Sequence, residues 1–460
     1  MRSFKMPLAL GMLLLGVLAG CSSSPSAVDN DGQPTYIDDP TLENFDRSLG
    51  ELSLAIQRAD ADTEMAMRAK ISETSRMYQK ALLSALYDNH STPRRALAGV
   101  MLGFTGDAAV IPALLEKVND SSEHISVRLN SMLGLQTMGD KLRDYPQHKE
   151  LMRTLTVNME DKDAPYTMRR AAVYTYAVAY DGVQNDSILP LRNRFLADND
   201  PRVQVAAINA MGDIGDVAAV NDLSIVGLSH PDHVVRAASA IALGKISDPQ
   251  RVIPALEGAT LDEVANVRRH SIDALSRHYG SDPERVYVSV LSGLADFDER
   301  VREAAALALA RIRDERAIEP LLQATGDRTA VVREAAATAL GLLISPEREK
   351  EAYPLVELLS DQAPGVQISA MQSLERVTRQ SNLGNDQQRW RKFFYTKYPD
   401  LDPANMYEGK PKPRFSSGIS GSASRPRTTS TPSRNTQQPR TQQRPNNQPN
   451  RTTQQPARRR

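Results

Sequence analysis

A single cysteine, Cys21, stands in 460 residues, so the chain can close no internal disulfide and has no cysteine spacing of the kind that holds zinc. Aromatic residues amount to 5% and include one tryptophan. The apolar stretch from Leu8 to Leu18 is shorter than a membrane span requires, and the composition excludes a multi-pass membrane protein. No glycine-rich phosphate loop and no nucleophile elbow is present, so hydrolytic and phosphoryl-transfer chemistry has no support. Net charge is also absent, with 56 Lys and Arg against 56 Asp and Glu, but the balance conceals an asymmetry. Residues 409–460 hold Lys410, Lys412 and ten arginines with no acid, a charge of +12, and residues 1–20 add +2. The stretch 21–408 therefore carries −14, an acidic body joined to a basic tail.

What is present is a repeat. VVRAASAIALGKISDP from Val234, VREAAALALARIRDE from Val301 and VVREAAATALGLLIS from Val331 are its clearest copies. Weaker ones start at Pro93, Val127, Met168, Val203, Val267 and Val366, at intervals of roughly 30 to 40 residues. Within a copy, apolar or small residues fall at i, i+4, i+7, i+8 and i+11, as in Val301, Ala305, Ala308, Leu309 and Ile312, which places them on one helical face. A second helix follows each copy, often after an Asp and with Pro in its first turn, as at Asp107 with Pro112 and Asp314 with Pro320. No alternating strand pattern occurs. The expected fold is all-α, a right-handed solenoid of helical hairpins with a disordered C-terminal tail.

The copies resemble HEAT-like repeats of the short kind found in phycobiliprotein lyase subunits, over roughly residues 92–380. That resemblance speaks to architecture and leaves activity open. HEAT-like repeats also build deoxyhypusine hydroxylase, whose di-iron site uses repeated His-Glu pairs. None of the seven histidines here is followed by Glu, so that activity is not supported. His230, Asp232 and His233 offer at most a partial metal site, and His278 falls on an apolar helix face as a packed histidine.

Residues 1–20 have the form of a secretory signal, and Leu18-Ala19-Gly20-Cys21 resembles the lipobox of bacterial lipoproteins. The resemblance implies that Cys21 is acylated and becomes the mature N-terminus, and that Ser22 directs the protein to the outer membrane, facing the periplasm, in a Gram-negative host. Residues 21–40 read as a flexible tether, 41–91 as an N-terminal helical cap in two stretches, 92–380 as the repeat body, 381–408 as a closing cap and 409–460 as a disordered basic tail. In the closing cap Trp390, Phe393 and Phe394 are expected to cover the last repeat.

One column recurs at the start of the copies: Arg128, Arg169, Arg236, Arg268, Arg302 and Arg333, with Gln204 and Gln367 at the equivalent places. Its arginines are expected to bridge adjacent repeats, reaching carboxylates such as Asp198, Asp232, Asp296 or Asp327 and turn carbonyls. The expected function is a non-enzymatic, lipid-anchored envelope scaffold for an unidentified protein partner, with no cofactor and no metal. The alternatives are a tether whose tail binds anionic envelope polymers and a lyase-like helper that loads a cofactor or client. The tail has no aromatic after Phe415 on which bases could stack, so no specific nucleic-acid partner is expected.

Overall fold

The structure is a computed structural model that describes residues 28–29, 34–182 and 186–403. It divides into two compact units, Met1–Asp402 and Pro403–Arg460, and apart from Pro403 the second lies outside the described residues. Among the described residues no strand forms beyond a single bridge between Val28 and Pro34.

The chain begins with α1 (Asp39–Gln57), α2 (Ala61–Met77) and α3 (Gln79–Leu86). It continues as α4 (Thr92–Phe104), α5 (Ile111–Asn119), α6 (Ile125–Thr137), α7 (His148–Glu160), α8 (Tyr166–Ala179), α9 (Leu189–Ala197) and α10 (Pro201–Ile214). After a π-helical turn at Asp222–Gly227 come α11 (His233–Leu243), α12 (Pro249–Ala259), α13 (Ala265–Ser276), α14 (Pro283–Ser292) and α15 (Glu299–Ile312). The last are α16 (Ile318–Ala324), α17 (Ala330–Leu343), α18 (Leu355–Leu358), α19 (Pro364–Thr378) and α20 (Gln387–Lys397).

All nine copies of the motif lie on helices, namely α4, α6, α8, α10, α11, α13, α15, α17 and α19. These motif helices form one row, each packed on the next, while each second helix packs on the motif helix that follows it. Aspartates set the starts of both rows. Asp200, Asp232 and Asp298 accept the N–H of Arg202, Val234 and Arg300 at 2.9, 2.8 and 2.9 Å, and Asp107, Asp216 and Asp314 do the same in the second row.

The core runs between the rows. Val301, Ala305, Ala308 and Leu309 are at most 1% exposed. Small residues let motif helices approach to backbone contact: a Cβ on Gly103 would stand 2.0 Å from the Gly134 carbonyl oxygen, and one on Gly134 would stand 2.2 Å from that of Gly99. Such closeness removes the whole stripe from water, at about 25 cal/mol per Å² of apolar surface.

Two expectations need correction here. Part of the stretch expected to be a free tether is docked, because Ile37 is 1% exposed and its carbonyl accepts from Arg94. Arg94 also donates to Asp39 at 3.1 Å and stacks over the Tyr36 ring, so one apolar and one aromatic residue hold an otherwise polar segment to the body. The N-terminal cap also has three helices where two were expected. Its second stretch breaks at Tyr78, whose ring meets Phe45 edge-on at 6.0 Å.

Candidate interaction site

The arginine column lies along the edge where second helices turn into motif helices. Arg268 shows the arrangement at its fullest. Its Nη1 donates to the Asp262 carbonyl at 2.8 Å, at the turn before its own helix, while Nε and Nη2 each meet a carboxylate oxygen of Asp296 at 2.7 Å, one repeat further on. The Asp296 carbonyl in turn accepts from Arg302, which pairs through both oxygens with Asp327 at 2.7 and 3.0 Å. The Asp327 carbonyl accepts from Arg333, paired with Asp361 at 2.7 Å, and Gln367 donates to the Asp361 carbonyl. Each aspartate thus serves two neighbours, with its carboxylate toward the preceding arginine and its carbonyl toward the following one. The planar guanidinium fork satisfies both ends, which an ammonium could not.

Arg236 extends the series backwards, meeting Asp262 at 2.7 and 3.0 Å, and Arg169 meets Asp198 at 2.8 and 3.0 Å. The acid expected for this column at Asp232 is Asp262 instead, since Asp232 is engaged in capping the Val234 N–H at its own turn. Arg128 finds no carboxylate. It donates to the Val118 carbonyl at 3.1 Å and to the Asn158 side-chain oxygen at 3.2 Å. Arg95, not evident in the residue order as a member of the column, opens the series by pairing with Glu123 at 3.0 Å and donating to the Asp88 carbonyl at 2.7 Å. Its signal was an acid 28 residues on, the same offset that separates Arg268 from Asp296 and Arg333 from Asp361.

These pairs shift the carboxylates. Burial raises Asp327, but hydrogen bonds from Arg302 and from the Thr329 N–H and hydroxyl outweigh it and hold the group at about 2. Asp262 and Asp296 are lowered in the same way against the opposing effect of burial, and Asp361 chiefly by its bonds from Arg333.

One step is neutral. Where the column has Gln204, the residue at the next turn is His230, whose carbonyl accepts from Arg236 but whose side chain offers no carboxylate. Gln204 reaches only backward, to the Asp198 carbonyl at 2.9 Å. At this same step the second helix is replaced by the π-turn Asp222–Gly227, with Gly227 pressed against Ser239.

At the other end Trp390 and Phe394 are fully buried and Phe393 is partly buried. The Trp390 indole N–H donates to the Gly384 carbonyl at 2.8 Å, and Phe394 meets Tyr353 edge-on at 5.6 Å. Both ring nitrogens of His148 are engaged, with the Leu142 carbonyl at 3.0 Å and Asp186 at 2.8 Å. His278 is buried, which pushes its pKa down. The His230 Nδ1 accepts the Asp232 N–H, and among the described residues no group of three His, Cys, Asp or Glu side chains is placed to hold a metal ion. Among the same residues no helix is long and apolar enough to cross a membrane. Cys21, the signal segment and the basic tail lie outside the described residues.

Comparison with known proteins agrees with this architecture. Residues 188–276 and 288–375 match the family model for HEAT repeats. No curated protein matches the sequence. Among solved structures the chain is similar to yeast importin-beta (Kap95p), at 15% identity over 79% of this chain and 54% of that one, with a TM-score of 0.51. It is also similar to a structure of Kap95p binding RanGDP, at 16% identity over 79% and 52%, with a TM-score of 0.50. Human deoxyhypusine hydroxylase matches at 19% identity over 61% and 99%, with a TM-score of 0.27. The chain spans about half the length of the Kap95p structures. Residues 188–276 and 288–375 are HEAT repeats, and what the chain shares with Kap95p at this identity is the fold.

Proposed function

We propose that this protein is a non-enzymatic scaffold of the cell envelope, lipid-anchored through Cys21 at the outer membrane facing the periplasm, whose helical-repeat body holds a protein partner. The observation that carries the reading is the arginine column. The charged groups of Arg169, Arg236, Arg268, Arg302 and Arg333 are engaged pairwise between repeats, so they hold the stack in register and leave its outer faces as the part available to a partner. A solenoid of this kind offers a long surface on a scaffold that needs no partner to fold. The Kap95p structure, in which binding acts on the switch loops of RanGDP, is a solenoid of the same fold engaging a protein. The anchor rests on the Leu18-Ala19-Gly20-Cys21 sequence, since two or three acyl chains hold a protein stably at a bilayer where one does not.

The test has two arms. Metabolic labelling with a fatty acid and membrane fractionation should show the native chain acylated and sedimenting with membranes, and Cys21→Ala unlabelled and released. Cross-linked capture from detergent-solubilised envelopes should then recover a defined protein with the full chain and with a chain ending at Phe415. A membrane-bound, unlabelled Cys21→Ala protein overturns the anchor, and capture of no protein overturns the scaffold. A second reading rests on the +12 charge of residues 409–460, which suits an anionic envelope polymer. It predicts that retention on envelope fragments at low salt is lost in the chain ending at Phe415.

A further inference from the structure

The repeats provide their own internal control for what each turn requires. After the turn residues Asp198, His230, Asp262, Asp296, Asp327 and Asp361, whose carbonyls accept from the column, stand Asn199, Pro231, Glu263, Phe297, Arg328 and Gln362, and before them Ala197, Ser229, Leu261, Ala295, Gly326 and Ser360. The column geometry is served equally well by small or polar residues at both positions. Leu261 and Phe297 are the large apolar exceptions, and they are 84% and 92% exposed.

Neither sits on loose backbone. The Phe297 carbonyl accepts from Arg302 at 3.1 Å and from Arg328 at 3.2 Å, and the Leu261 N–H donates to the Gly258 carbonyl at 3.2 Å. Arg268 joins the two turns, since it binds the carbonyl of Asp262, next to Leu261, and the carboxylate of Asp296, next to Phe297. Two apolar side chains are thus held in water on consecutive repeats, at turn positions where the other repeats carry small or polar residues. With the column pairs and the Asp200–Arg202 pair set aside, the turns of this edge between Asp198 and Asp361 carry Asp232, Glu263, Asp298 and Glu299 against Arg300 and Arg328.

We propose that Leu261 and Phe297 anchor an extended, basic segment of a partner protein along the turn edge of the repeats. This rests on the scaffold reading and names the surface it uses. Consecutive helices stack roughly 8–10 Å apart, and an extended chain rises about 3.3 Å per residue with alternate side chains on one face, so the segment presents two apolar side chains two positions apart on the same face. A second copy of this chain is the poorer occupant, because two side chains expose far less than the roughly 800 Å² per partner of a stable dimer. The acidic excess selects for lysine and arginine around the apolar pair.

The experiment uses the full chain in detergent and a fluorescein-labelled decapeptide with Leu and Phe two positions apart among lysines. Anisotropy should show saturable binding, weakened roughly ten-fold or more by Leu261→Ser with Phe297→Ser, and unchanged by Val288→Ser, an exposed apolar residue of α14 away from this edge. A peptide with serine in place of lysine should bind several-fold more weakly. Absence of saturable binding, or equal binding by the double variant, overturns the proposal. So does a native chain that dimerises with concentration while the double variant stays monomeric, which would assign the surface to a second copy. Cross-linked capture separates this failure from failure of the scaffold reading: a partner recovered equally by the native chain and the double variant overturns the turn-edge site alone.

Discussion

Arg302 and Asp327 meet through two parallel hydrogen bonds, at 2.7 and 3.0 Å, between consecutive motif helices, with side chains only 6% and 14% exposed. Removing one partner of such a pair leaves the other buried and unpaired, which costs about 3 kcal/mol or more. Arg302→Gln should therefore lower the urea midpoint of the repeats around α15 and α17 well below that of Arg300→Gln, at the exposed neighbouring position. Equal midpoints would show that the pair contributes nothing net.

The same carboxylate fixes a pH dependence. Asp327 in the folded chain lies at about 2, below the unfolded value near 3.9, so its contribution is fully present above that unfolded value and is lost as pH falls toward about 2. Asp262, Asp296 and Asp361 shift in the same direction and add to the effect. The stability gap between native and Arg302→Gln should be constant from neutral pH to about 5 and close as the solution is acidified to about 2. Thermal melts followed by circular dichroism across that range measure it.

At the neutral step, Gln204→Arg with His230→Asp supplies the missing fork and carboxylate. The double variant should be more stable than either single one, with a coupling of about 1–2 kcal/mol in a double-mutant cycle. Gln204→Arg alone introduces a guanidinium with no acid opposite it and should gain nothing. Additive effects would mean that the π-turn at Asp222–Gly227 keeps the two positions apart.

Gly103 and Gly258 should respond in opposite directions to alanine. A methyl at Gly103 would enter the Gly134 carbonyl at 2.0 Å and must push α4 from α6, so Gly103→Ala should lose about 1–3 kcal/mol or more. Nothing lies within 4 Å of a Cβ at Gly258, in the last turn of α12, so Gly258→Ala should gain about 0.5–1 kcal/mol. Chemical denaturation of the two variants side by side checks both signs.

Trp390 is the single tryptophan and is fully buried, so its fluorescence reports on the closing cap alone. Emission should be blue-shifted in the native chain and move to the red in one transition when α20 detaches. Phe394→Ala, which empties the contact with Tyr353, should bring that transition to lower denaturant by about 3–5 kcal/mol while the helical signal of the repeats persists. A single transition shared by both signals would mean that cap and repeats unfold together.

Helices, repeat phase and the arginine column were legible in the residue order because each rests on local rules: 3.6-residue periodicity, aspartate caps and proline in first turns. Val301, Ala305, Ala308 and Leu309 announce their buried face within a dozen residues. The partners of the arginines were legible only in part. Asp198, Asp296 and Asp327 were anticipated, but Asp232 stood closer in sequence to Arg236 than Asp262 does, and a choice between acids 4 and 26 residues away is made by how consecutive hairpins stack. Arg95 was missed because its copy of the motif is weak, though its offset to Glu123 is that of the stronger rungs.

The residue order alone thus determined an all-helical repeat, an acidic body and a basic tail, because composition and short-range pattern suffice for each. Tertiary structure alone decided that Ile37 is buried while Phe297 stands in water. It alone joined Asp262, Asp296 and Asp327 to two arginines each and left the steps at Arg128 and Gln204 without a charge pair. These outcomes depend on segments some 25 to 29 residues apart meeting across the stack, and no local preference encodes where such segments come to rest.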